Sequence, residues 1–165
     1  MYRLILEDDS SDVFIEGQLA DTLLGQGFGE PAGASRIRVN SFEGVYLVFR
    51  DRFAVKDKKA VINALSQGRK DFWTVYHVYS DLLDQGKKIT FDERTGCIMQ
   101  KEGEKRVYIP LSSDDPLTPT GIHDKAKALE ELGWAPVLAI VDEHGTPAYY
   151  SADTKKPSVE GFGSD

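Results

Sequence analysis

Cysteine, histidine and long apolar runs are all scarce in this chain, and each scarcity closes a class of function. A single cysteine, Cys97, among 165 residues excludes an internal disulfide and any multi-cysteine metal site. It lies in the apolar stretch Cys-Ile-Met, the setting of a buried thiol. The three histidines, His77, His123 and His144, show no metal-ligand spacing, so no metal or other cofactor is expected. No apolar run approaches the roughly 20 residues of a membrane helix. The opening MYRLILEDD is too short and too soon acidic for a signal peptide, and a cytoplasmic protein with no membrane partner is the expectation. Positive charge is also short, with 20 Lys and Arg against 27 Asp and Glu and a net charge of −7. That balance argues against strong autonomous binding of nucleic acid, because phosphate contacts need clustered cations to release counterions.

What is present is ordinary for a globular protein: 41% hydrophobic and 28% charged residues, with the acidic ones dispersed. The most informative stretch is 71–91, DFWTVYHVYSDLLDQGKKITF. Phe72, Val75, Tyr76, Tyr79, Leu82 and Leu83 recur at helical steps and share a face, while Asp81, Asp84 and Gln85 fall opposite. Asp71 suits an N-cap and Gly86 a C-terminal stop, after which Ile89, Thr90 and Phe91 have strand character.

Before that stretch, residues 2–6 and 13–15 read as strands around the polar turn DDSS, and a short helix is expected near 18–24. The glycine-rich segment 25–34 lacks the Gly-Lys-Ser/Thr of a phosphate loop and reads as an irregular loop. A strand is expected at 36–39. Asn40 and Glu43 then form a capping-box start for a helix 41–49 that buries Phe42, Val45, Tyr46 and Phe49. Asp57 caps another helix through Val61, Ile62 and Leu65, and the polar stretch 67–70 is the candidate domain boundary.

Beyond the central stretch, strands at 97–100 and 106–111 flank the turn KEGE as a hairpin. Thr118 as N-cap with Pro119 at the first helical position predicts a helix through Ile122, Ala126, Leu129 and Leu132 to Gly133. The apolar run 137–141 is a strand covered on both faces, and after the turn DEHGTP a last strand holds Ala148, Tyr149 and Tyr150. The fold class is therefore α/β, α+β overall: a small N-terminal α+β domain over 1–68, a C-terminal α/β domain with a mixed sheet over 69–153, and a mobile tail over 154–165. Arg36, Arg38, Arg50 and Arg52 are candidates for a modest basic patch in the first domain, at a spacing equally ordinary for solvent-facing positions.

Three segments in this order, SFEGVYLVFRDRFAV, DFWTVYHVYSDLLDQGKKI and VLAIVDEHGTPAYY, resemble the archaeal tRNA-intron splicing endonuclease family. With the segments between them the resemblance spans nearly the whole chain. It implies a nuclease-like C-terminal domain and assembly into dimers or tetramers that cut precursor tRNA at bulge-helix-bulge introns. Active members of that family use a Tyr, a His and a Lys, without metal, to drive attack of the adjacent 2′-hydroxyl and leave a 2′,3′-cyclic phosphate. An imidazole moves a proton near neutral pH, a phenol orients, and an ammonium stabilises charge building on the phosphorane.

At all three places this sequence departs from the pattern. The strand that should end in Tyr reads CIMQ through Gln100, Glu104, Lys105 and Arg106 stand where His belongs, and the lysine position falls near Trp134 or Ala135. No catalytic residue is expected in the chain. The resemblance thus implies a non-catalytic structural subunit of a heteromeric enzyme, two copies joining two of a separate catalytic subunit, with precursor tRNA bound through the complex. Asp142 and Glu143 occupy the hairpin turn that in the family docks into a basic cleft of a neighbouring subunit. Ala148, Tyr149 and Tyr150 lie on the terminal strand that in the family pairs across a dimer. Two other readings stand beside this one: an active endonuclease with Tyr108, His123 and Lys127 as relocated catalytic groups, and an acidic protein-binding adaptor unrelated to RNA.

Overall fold

The computed structural model describes residues 3–6, 13–52, 55–114 and 118–152. The expected DDSS turn, residues 115–117 of the polar break and the tail from 154 lie outside the described residues. The chain forms two compact units that part between Lys88 and Ile89.

In the first unit the elements run β1 (Arg3–Leu6), β2 (Val13–Glu16), α1 (Gln18–Gly25), β3 (Glu30–Pro31), β4 (Arg36–Val39), α2 (Ser41–Phe49), α3 (Lys58–Ser66) and α4 (Phe72–Asp84). The strands form an antiparallel sheet in the order β1-β2-β4-β3. Alternation turns Val13, Ile15, Ile37 and Val39 inward, against Ala20 and Leu23 of α1. Asn40 caps α2 through its side chain, and Glu43 completes the box by returning to the Asn40 backbone. From Ser41 to Val48 every residue of α2 is buried, so this is a central helix rather than an amphipathic one. Phe49, expected inside, is 46% exposed, because the helix ends there and Arg50 and Asp51 turn away.

α4 packs on α2 within this first unit, and that moves the boundary. The sequence reading starts the second domain at residue 69, whereas the units divide after the glycine stop that follows α4. Aromatic stacking is the physical reason. Phe42 of α2 meets Phe72 at 4.8 Å and Tyr79 at 5.7 Å, and burying each such ring contributes about 2–3 kcal/mol. Gly86 ends α4 with φ +80, as expected. Asp71 does not cap it, since its φ and ψ of −92 and 15 place it outside the extended region, and its carboxylate pairs instead with Arg69 at 2.8 Å.

The second unit holds β5 (Ile89–Asp92), β6 (Cys97–Gln100), β7 (Arg106–Ser112), α5 (Pro119–Glu131), β8 (Ala135–Val141) and β9 (Pro147–Ser151). Its five strands form a mixed sheet in the order β5-β6-β7-β8-β9, parallel only between β7 and β8, where α5 makes the crossover. Thr118 caps α5 with Pro119 at its start. Ala126 and Leu129 of α5 pack on Cys97, Val107, Ile109 and Leu111, and burial pushes the Cys97 thiol up. The α+β class with a mixed sheet is what the chain adopts.

Candidate functional site

The parallel pairing of β7 with β8 decides where one cleft of the second unit lies. Arg106 stands opposite Ala135, and the Ala135 N–H donates to the Lys105 carbonyl at 2.7 Å. This brings residues 104–106, at the start of one strand, beside Gly133, Trp134 and Ala135 at the start of the other. A cleft of about 530 Å³ opens here, lined by Glu104, Lys105, Gly133, Trp134 and Ala135 and bordered also by Glu130, Pro136 and Ser151. No sequence signal links Lys105 with Trp134, which are far apart in the chain; only the crossover joins them.

The groups around this cleft are already engaged with one another. The Lys105 ammonium sits 5.9 Å from the Trp134 ring centroid, within cation–π range, and the indole also packs against the core cluster that holds Ala126 and Leu129 of α5. Glu104 binds the Arg106 guanidinium at 2.6 Å and raises its affinity for the proton. The residues lining the cleft supply carboxylates, an ammonium, an indole and a hydroxyl, but neither an imidazole nor a phenol. Gln100, at the end of β6, has its amide satisfied: it accepts from the Tyr108 hydroxyl at 3.2 Å and donates to the Glu102 carbonyl at 2.8 Å. Gln100, Glu104, Lys105, Arg106 and Trp134 are therefore packing and pairing groups.

The relocated trio does not converge. Val107, Ile109 and Leu111 face α5, so Tyr108, between them on β7, points to the opposite side of the sheet. His123 and Lys127 are exposed on α5, whose inward residues are Ala126 and Leu129. A sheet stands between the phenol and the imidazole. His77 lies elsewhere, half-buried on α4 beside Trp73, and burial pushes its imidazole down. Among the described residues no group of His, Cys, Asp and Glu could hold a metal ion.

The hairpin between β8 and β9 carries the residues expected at an interface. Asp142 spends its carboxylate on its own turn, where Oδ1 accepts from the N–H groups of His144 and Thr146, both at 2.9 Å. Those bonds, that of Thr146 foremost, hold the carboxyl below its usual range. Asp142 is thus a rigid charged corner. Glu143 projects from it, 80% exposed, with His144 at 3.4 Å. Tyr149 lies edge-on to Tyr108 at 5.9 Å, while Ala148 is exposed and Tyr150 is 56% exposed.

β9 is an edge strand, and its hydrogen-bond phase can be assigned. The bonds Asp142 N–H to Thr146 and Ala152 N–H to Pro136 fix which pairs bond within the hairpin. By alternation Ala148 and Tyr150 turn their backbone groups to β8, and Tyr149 and Ser151 turn theirs outward. Those outward groups lie on the side of β9 where no further strand pairs among the described residues.

Over 144 residues the chain is 27% identical to the tRNA-splicing endonuclease of Pyrococcus furiosus, a match covering 81% of this chain and 84% of that protein. It is 28% identical to the tRNA-splicing endonuclease of Pyrococcus horikoshii over 139 residues, 78% of this chain and 81% of that protein. Both similarities support the family read from the sequence. No protein-family model matches the chain. Among the described residues, no helix is long and apolar enough to cross a membrane.

Proposed function

We propose that this chain is the structural, non-catalytic subunit of a tRNA-splicing endonuclease. It assembles with a separate catalytic subunit, two copies of each, and the complex cleaves precursor tRNA at bulge-helix-bulge introns. One observation carries the reading. Of the residues that stand where the resemblance puts His and Lys, Glu104, Lys105, Trp134 and Ala135 line the cleft, Glu104 pairs with the neighbouring Arg106, and Lys105 lies over the Trp134 ring, so none is a His or Lys left available for catalysis. The similarity over about four-fifths of the chain to two proteins named tRNA-splicing endonuclease supports the reaction to which the complex is assigned.

Two features equip the chain for assembly. The corner made by Asp142 presents Glu143 without loop flexibility, so a cationic cleft on the partner meets a preset charge, which favours register and partner choice. The outward groups of β9, with Tyr150 exposed beside them, suit pairing with a second edge strand.

The test is cleavage of an intron-bearing precursor tRNA by the purified chain, alone and with a catalytic homologue from the same organism. The chain alone leaves the RNA intact, and the mixture cuts it faster than the homologue by itself. Cleavage by the chain alone overturns the proposal; absence of any complex with the homologue does so too.

A further inference from the structure

We infer that the first unit carries a binding surface for single-stranded RNA, built where an exposed aromatic patch meets the one strongly basic segment of an acidic chain. Phe49 and Trp73 are 46% and 41% exposed. Their ring centroids lie 5.9 and 5.4 Å from that of the buried Tyr76, on which both pack, and the His77 ring is 6.4 Å from Trp73. The chain leaves this patch at Phe49 and returns to it at Trp73. Between those points, over residues 50–70, it carries seven Lys and Arg against two Asp, an excess of five positive charges in a protein of net charge −7.

Folding accounts for only part of this charge. Arg50 pairs with Asp84, Lys58 with Asp51 and Arg69 with Asp71. Lys56, Lys59 and Lys70 are exposed and make no ion pair among the described residues. Lys59 also occupies the first turn of α3, the end of a helix that disfavours cations, so α3 gains no stability from it. Of α3 only Leu65 is buried, which leaves the polar side of the helix exposed.

Exposed aromatic rings at both ends of a cationic segment match the chemistry of single-stranded RNA, whose bases stack on Trp, Phe or His while Lys and Arg meet its phosphates. Bases stack on Trp73 and Phe49, and the backbone crosses Lys56, Lys59 and Lys70. An acidic protein surface would satisfy the lysines but leave the rings without planar partners. The surface lies in the first unit, whereas the assembly features described above lie in the second, so RNA contact is separable from subunit assembly. The choice of RNA over DNA rests on the function proposed above; the polynucleotide chemistry does not.

The test is fluorescence anisotropy of the full-length chain with a labelled uridine-rich RNA of about 12 nucleotides, at about 50 mM salt and above. The expected result is salt-sensitive binding that weakens at least about 10-fold in the variant combining Lys56→Ala, Lys59→Ala and Lys70→Ala, with a shallower salt slope. Lys125→Ala with Lys127→Ala, on α5, leaves binding unchanged. In the Trp134→Phe background Trp73 is the sole tryptophan, and its emission falls as RNA is added. No binding by the unaltered chain, equal binding by the triple variant, or a preference for DNA of the same length overturns the inference. So does a Trp73→Ala variant that binds RNA normally but no longer joins the catalytic homologue. Since the assay uses the chain alone, loss of RNA binding with assisted cleavage retained sinks this inference and spares the assembly reading, and the reverse result does the opposite.

Discussion

Glu43 is a carboxylate buried to 4% exposure, and what surrounds it explains why the first unit tolerates it. Its Oε2 accepts the Gly29 N–H at 2.9 Å and its Oε1 the Asn40 N–H at 3.4 Å, while the Asn40 side chain receives the Glu43 N–H at 2.8 Å. Asn40 also donates to the hydroxyl of Tyr79, a phenol that burial, with the Glu43 charge nearby, holds well above its usual range. Gly29 is the only residue type that fits its place: φ is +67, and a Cβ there would stand 2.7 Å from the Arg38 carbonyl oxygen. Glu43→Ala is expected to cost about 2–3 kcal/mol, since it removes half of a capping box and strands a buried N–H. Urea unfolding would show a lower midpoint at an unchanged slope, and a midpoint within error of the parent would refute the account. The capping box is legible in the sequence because its partners are three residues apart. The bond to Gly29 is not, because nothing local announces an acceptor 14 residues away. Asp71 marks the opposite failure: it is a good N-cap residue by type, but its backbone angles and Arg69 direct its carboxylate elsewhere.

Between elements, the contact of α2 with α4 shows what periodicity leaves open. The apolar stripe of α4 requires burial, and it is buried, but a stripe does not say against what. The answer lies in Phe42, Tyr46 and Arg50 of the α2 segment. The Tyr46 hydroxyl donates to Asp84 Oδ1 at 2.8 Å, and Arg50 Nη2 reaches both oxygens of that carboxylate at 2.8 and 2.6 Å while its guanidinium lies 4.9 Å over the Tyr46 ring. Asp84, expected on the solvent face, thus becomes the tie between the helices. Burial pushes its pKa up, but the bonds from Arg50 and Tyr46 outweigh it and the net shift is below the ordinary 3.8. A carboxylate depressed on folding contributes stability that is complete above the unfolded pKa and is lost as pH falls through the folded one. Asp84→Asn is therefore expected to be less stable than the parent at neutral pH, by no more than about 1 kcal/mol because the pair is nearly half exposed. The gap closes below about pH 3.8. Unfolding midpoints from pH 7 to 3 test this, and a gap that widens toward acid would contradict the sign.

Across the whole molecule, periodicity, caps and turn residues made the order of elements legible, and the alternation along β9 could be read from its sequence. The cleft could not, since it exists only because α5 returns the chain to a parallel neighbour and so places Trp134 against Lys105. Nor does sequence alone reveal which backbone groups of β9 turn away from β8. That phase makes the assembly proposal testable by proline, which removes a donor without adding charge. The Ser151 N–H points away from β8 and bonds to no strand among the described residues, so Ser151→Pro removes a group that a neighbouring edge strand would use. The Tyr150 N–H bonds to β8, so Tyr150→Pro breaks the sheet itself. Ser151→Pro is expected to leave the unfolding midpoint of the chain within about 1 kcal/mol of the parent. Its association, followed by sedimentation velocity with and without the catalytic homologue, should weaken by at least about tenfold, equivalent to about 1.4 kcal/mol. Tyr150→Pro should lower stability by about 3 kcal/mol or more and lose association with it. If Ser151→Pro associates as the parent does, the outward edge of β9 is not the surface that pairs, and assembly must run through the rigid corner at Asp142 and Glu143 alone.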